Sequence, residues 1–124
     1  MNLLLDSHCV LWWLGGMPVS EPASSAIAES SNEVYVSAAS IWELEIKAAL
    51  GKLTIDADLI TEVEAAGLTL LPITASHGKA AARLPMHHRD PFDRMLIAQA
   101  QLESCSIVSR DSSFAQYSVG LIEA

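Results

Sequence analysis

Asn2-Leu3-Leu4-Leu5-Asp6-Ser7 opens the chain with an apolar run too short for a helix before it meets an acid and a hydroxyl. Such a run reads as a buried strand. Ser7 then offers a cap for a helix over residues 8–14, His-Cys-Val-Leu-Trp-Trp-Leu, which Gly15-Gly16 terminates. A strand feeding directly into a helix is the repeating unit of an α/β sheet. It leaves Asp6 at the carboxyl end of the strand, beside a helix start.

The alternation continues outward from this unit. Ser20 caps a helix over 21–30 with Pro22 in its first turn, and Glu33-Val-Tyr-Val-Ser37 reads as a second strand. Ser37 and Ser40 both offer N-cap oxygens for a helix that ends at Gly51, and Ser40-Ile-Trp-Glu43 has capping-box spacing. A shorter helix over 59–66 stops at Gly67, a strand covers 68–73, and Thr74 caps a helix through Arg83. Residues 84–89 read as a loop. Asp90 caps the next helix, with Pro91 at its first position and Asp93 where a capping-box acid sits, and that helix runs to Glu103. Strands over 106–109 and 120–122 complete the pattern. Together these elements predict one α/β domain over 1–124, a three-layer α/β/α arrangement with a central, mostly parallel sheet and right-handed crossovers.

Composition narrows the setting. At 124 residues and 51% hydrophobic the chain is sufficient for a single core. No apolar run approaches the roughly 20 residues of a membrane span, and no basic, cleavable leader opens it, so a cytoplasmic protein is expected. Cys9 and Cys105 lie in apolar surroundings without CxxC spacing, which predicts reduced, buried thiols. The net charge of −8 opposes phosphate binding, yet every one of the seven basic residues falls between Lys47 and Arg110. A local basic rim remains compatible with nucleic acid, and a divalent cation held by acids lowers the effective negative charge.

In parallel sheets ligands bind beyond the carboxyl ends of the strands, where Asp6 and Asp111 are expected. Glu43 and Asp93 belong to the first turns of helices and can converge on the same edge. Each acid alone has an ordinary explanation. Glu43 can pair with Lys47 at i,i+4, Asp93 and Asp6 can cap helices, and Asp111 can start a turn with Ser112. Crowded together they raise one another's pKa unless a cation neutralises them, and an all-oxygen donor set suits Mg2+ or Mn2+. No Cys/His spacing supports zinc.

Four stretches carry a more specific signal. Leu3-Leu-Leu-Asp6-Ser-His followed by Leu11-Trp-Trp-Leu, Ser37-Ala-Ala-Ser-Ile-Trp-Glu43-Leu-Glu-Ile-Lys47, His88-Arg-Asp-Pro-Phe-Asp93-Arg-Met-Leu-Ile-Ala-Gln-Ala100 and Ser109-Arg-Asp111-Ser-Ser-Phe114 resemble, in this order, a PIN-domain protein of the VapC toxin type. The resemblance implies a PIN-like fold and an endoribonuclease toxin in which Asp6, Glu43, Asp93 and Asp111 are the catalytic residues and hold Mg2+ (or Mn2+). It also implies a cognate VapB-like antitoxin and a homodimer. Hydrolysis of an RNA phosphodiester by metal-activated water needs no nucleophilic side chain. Arg94 and Arg110, each beside one of the acids, are candidates for phosphate contact or for pairing with those acids. Ser7 and Ser109 stand where the family often has Thr and join them as candidate substrate-binding residues.

His8, His87 and His88 are read as a helix start and a solvated loop rather than as proton shuttles. The adjacent Trp12 and Trp13 cannot face the same way, so one is expected to pack inside and the other to mark an interface. Two other readings stay open. A catalytically silent PIN-like module would bind RNA or protein without cutting, though its usual signature, a missing acid, is absent here. An aspartyl-phosphate enzyme would need an Asp-x-Asp pair, which Asp6-Ser7-His8 does not supply.

Overall fold

The computed structural model describes residues 1–55 and 57–124. Among them the strands are β1 (Asn2–Leu5), β2 (Glu33–Ser37), β3 (Thr69–Leu71), β4 (Cys105–Ser109) and β5 (Gly120–Glu123). The helices are α1 (Ser7–Leu14), α2 (Glu21–Ala28), α3 (Ala38–Ala49), α4 (Leu59–Ala65), α5 (Ala75–Arg83) and α6 (Pro91–Leu102), with a 3-10 helix at Ser112–Gln116. The sheet order is β3-β2-β1-β4-β5 and every described pairing is parallel. The expected "mostly parallel" sheet is therefore parallel throughout.

The three leucines of β1 explain the layering. Leu3, Leu4 and Leu5 have no exposed surface, and they divide between two apolar clusters on opposite faces of the sheet. Leu3 and Leu5 join Val34, Val36 and Val108 under residues of α1, α2 and α4. Leu4 and Ile107 join Leu96, Ile97, Phe114 and Tyr117 on the other side. Burial on both faces is why β1 is a continuous apolar run rather than an alternating one. Each such leucine contributes about 1.5–3 kcal/mol by leaving water. Cys9 and Cys105 are free and buried, as expected.

Several boundaries shift for local reasons. Asp6, not Ser7, caps α1: its Oδ1 accepts from the Cys9 N–H at 2.8 Å. Likewise Ser37 caps α3, accepting from the Ala39 N–H at 3.0 Å, so the Ser40–Glu43 capping box does not form. β3 stops at Leu71 because Pro72 has no N–H to donate. The turn expected at Asp111 is a 3-10 helix that Asp111 caps through the Ser113 N–H at 2.9 Å. At Gly120 β5 packs closely on β4: a Cβ there would lie 2.5 Å from the Ser106 Oγ and 3.2 Å from its Cβ.

Candidate metal centre

The chain runs from β1 outward through β2 to β3, then returns to add β4 and β5 on the other side of β1. The crevice at this reversal, beyond the carboxyl ends of β1 and β4, is where such sheets bind ligands. A cleft of about 440 Å³ opens there, and Asp6, Glu43, Asp93 and Asp111 all line it. Asp111, two positions past β4, and Asp6, one position past β1, thus meet acids from the first halves of α3 and α6.

Hydroxyl groups hold two of these acids in place. Asp6 is buried, its Oδ2 accepting from the Ser109 Oγ at 2.5 Å while Ser109 Oγ in turn accepts from the Asp111 N–H at 2.9 Å. One serine therefore ties the end of β1 to the start of the loop after β4. Ser7 Oγ donates to Glu43 Oε1 at 2.5 Å, and Lys47 Nζ lies 3.4 Å from Oε2. The i,i+4 pair expected from sequence is present, but it is one side of an acid whose other oxygen is fixed by α1. Ser7 and Ser109, both buried, thus act on the carboxylates.

Asp93 projects from the first turn of α6, beneath its cap Asp90, whose Oδ1 accepts from the Phe92 and Asp93 N–H groups at 2.8 and 3.3 Å. Its carboxyl pKa is pushed up to about 7, first by burial and then by Asp90, with His88 opposing and Glu43 and Asp6 adding to the rise. Asp111 is lowered, chiefly by its hydrogen bonds from Ser113 and less by nearby His88. Two acids in one cleft are thereby driven in opposite directions by their surroundings.

The structure adds a residue that sequence reasoning set aside. His88 Nε2 lies 3.1 Å from Asp93 Oδ2 and 3.6 Å from Asp111 Oδ2. Ligand atoms of His88, Asp93 and Asp111 all fall within 4.8 Å of one another. Nε2 is buried and, lacking an aligned partner, makes no hydrogen bond among the described residues. An imidazole nitrogen within reach of two carboxylates that line the cleft, with Asp6 and Glu43 lining it too, fits a divalent cation. The sequence signal was the position of His88 in the run that leads into α6, but nothing local distinguishes it from exposed His87.

The two arginines separate. Arg94 is buried and donates to the carbonyls of Ala81, Leu84, Pro85 and His88 at 2.8–3.1 Å. Of the two roles expected for it, phosphate contact or pairing with an acid, neither is seen: Arg94 does not line the cleft and its bonds all go to backbone carbonyls. Arg110 does line the cleft; its guanidinium sits 3.9 Å above the Trp12 ring and donates to the Ala124 and Pro18 carbonyls. Trp12 and Trp13 are both half-buried against the core, so neither is wholly inside, while Trp42 is 63% exposed with its ring edge on Phe92. His8 stacks on Trp12 at the cleft wall.

Comparison with the curated proteins gives no match. Solved structures do share the fold. VapBC2 of Rickettsia felis, bound to a DNA fragment from its promoter, superimposes with a TM-score of 0.75 at 14% identity, over 99% of this chain and 98% of that one. FitAcB of Neisseria gonorrhoeae gives 0.67 at 22% identity, covering 97% and 96%. VapBC-5 of Mycobacterium tuberculosis, a member of the VapBC family of toxin-antitoxin systems, gives 0.61 at 17% identity, covering 98% and 96%. Residues 3–120 match the family model for the PIN domain, and with that span of agreement the chain belongs to the PIN domain family.

Proposed function

We propose that this protein is a Mg2+- or Mn2+-dependent endoribonuclease, the toxin of a toxin-antitoxin pair, which hydrolyses RNA phosphodiester bonds. The observation that carries the proposal is the convergence of Asp6, Glu43, Asp93 and Asp111 on one cleft at the sheet's reversal point. Likeness to the VapBC complexes supports a VapB-like antitoxin as the partner, and a cytoplasmic homodimer is part of the same proposal. No helix among the described residues is long and apolar enough to cross a membrane.

Asp93 and Asp111 would hold the cation, with Asp6 and Glu43 completing the acidic wall. When bound, a divalent ion polarises the phosphate and makes water acidic enough to serve as nucleophile near neutral pH. Ser109 keeps the Asp6 carboxylate turned toward the cleft, and Ser7 does the same for Glu43. A fixed carboxylate loses no orientational freedom when the site fills, which strengthens binding. Lys47 and Arg110 stand on the rim as positive charges for the flanking phosphates of an RNA strand. They offset locally a chain whose net charge is −8.

Incubating purified protein with structured and single-stranded RNAs in Mg2+ or Mn2+ tests this. Cleavage should need the metal and fall by at least about a hundredfold in Asp6→Asn and Asp93→Asn, the order expected for losing electrostatic stabilisation of the transition state. Cleavage that survives both substitutions or chelation overturns the assignment. Metal binding with no cleavage of any RNA would instead favour a silent binding module.

A further inference from the structure

We infer that His88 Nε2 is a direct ligand of the cation held by Asp93 and Asp111, which gives the centre a mixed nitrogen and oxygen donor set that prefers Mn2+ to Mg2+. The inference rests on the metal-dependent reading above and names a ligand beyond its acids.

Three observations carry it. The separations of 3.1 and 3.6 Å between Nε2 and the two carboxylate oxygens match neighbouring corners of a coordination shell. Ligands about 2.1 Å from an octahedral ion lie about 3 Å apart. Second, Nε2 is buried and stands between two carboxylate oxygens, without an aligned hydrogen bond that commits it to either one. Third, the backbone of His88 is gripped from both sides. Its N–H donates to the Tyr117 hydroxyl at 2.8 Å, and its carbonyl accepts from Arg94 Nη1 at 3.1 Å.

Those two anchors are themselves anchored. Tyr117 donates to the Pro85 carbonyl at 2.7 Å, and the buried Arg94 closes on Ala81, Leu84 and Pro85. Phe114 lies against the imidazole ring with centroids 5.9 Å apart. A buried guanidinium committed to four carbonyls is an expensive way to order a loop, and that loop sets the His88 imidazole against Asp93 and Asp111. Mg2+ takes oxygen ligands and retains its waters, whereas transition ions accept imidazole nitrogen. The geometry therefore selects within the divalent ions.

Pulsed electron paramagnetic resonance on Mn2+ bound to the full-length protein reads the ligand directly. The wild-type complex should show nitrogen modulation of the histidine type, a measurement that needs no variant to fold. Calorimetric titration should find Mn2+ binding weakened by about tenfold or more in His88→Ala and His88→Gln, the scale of losing a group that supports a metal site. Mg2+ binding should change by less than about threefold, because that ion draws little from imidazole. Asp93→Asn should lose both ions, and thermal denaturation of each variant confirms folding. Bound Mn2+ without nitrogen modulation, or equal losses for both ions, overturns the inference and leaves the nuclease reading standing. A wild-type protein that binds neither ion overturns both.

Discussion

Replacing Asp93 with Asn should make the metal-free protein more stable at pH 8 and leave its stability unchanged at pH 3. The native environment raises this carboxyl from 3.8 to about 7, chiefly through burial. An acid whose folded pKa lies above its unfolded one favours folding fully below the unfolded value, and that contribution disappears as pH rises through the folded value. Wild-type stability should therefore decline between about pH 4 and pH 7 relative to the Asn variant, which has no charge to desolvate. The gap between 3.8 and about 7 corresponds to about 4 kcal/mol. Because the side chain retains 23% exposure, water relieves part of this, and about 2–4 kcal/mol is expected at pH 8. In a domain of this size that is a rise of roughly 5–15 °C in Tm. Differential scanning calorimetry in chelator, repeated across pH, measures it, and comparing the pair cancels contributions from other groups such as Asp111. Saturating Mn2+ should reverse the order by stabilising wild type alone. An Asn variant no more stable at pH 8, or one whose advantage persists at pH 3, would refute the desolvation argument.

Other substitutions test the supporting contacts. Ser109→Ala removes the donor to the buried Asp6 carboxylate and should cost about 1.5–3 kcal/mol in urea denaturation, with Ser109→Thr retaining most of it. Arg94→Lys cannot reach four carbonyls from one ammonium and should lose about 2–4 kcal/mol, while hydrogen exchange in 84–89 accelerates. Both thiols should resist a disulfide reagent at pH 8 until the protein unfolds. Burial and Glu103 push Cys105 up to about 11, and burial with Asp6 raises Cys9 further. Gly120→Ala should destabilise by about 1–3 kcal/mol, since its methyl group would press on Ser106 in the neighbouring strand.

What was legible in the chain was what is decided locally. Asp90 and Pro91 opening α6, Thr74 opening α5 and Gly67 closing α4 all act through bonds within a few residues, so their types at those positions suffice. The acids could be counted and assigned to one end of a parallel sheet for the same reason. Arg94 shows where adjacency misleads. Consecutive helical residues point about 100° apart, so while Asp93 faces the cleft, its neighbour faces the loop 84–89 and binds that instead. The Ser40–Glu43 spacing misled likewise, because Ser37 already satisfies the first turn of α3 and Glu43 finds its hydroxyl on α1.

The sequence by itself determined the alternation of buried strands and capped helices, the parallel sheet and the acids at its carboxyl edge, because periodicity and capping are short-range. Strand order decided the rest. Setting β4 beside β1 brings Ser109 onto Asp6 across 103 positions, and folding α6 against that face brings His88 to Asp93 and Asp111. The contacts of Ser109 with Asp6 and of His88 with Asp111 join distant segments, and no residue type or local spacing encodes them. The role proposed for His88, unlike the one expected of the acids, therefore rests on the tertiary structure.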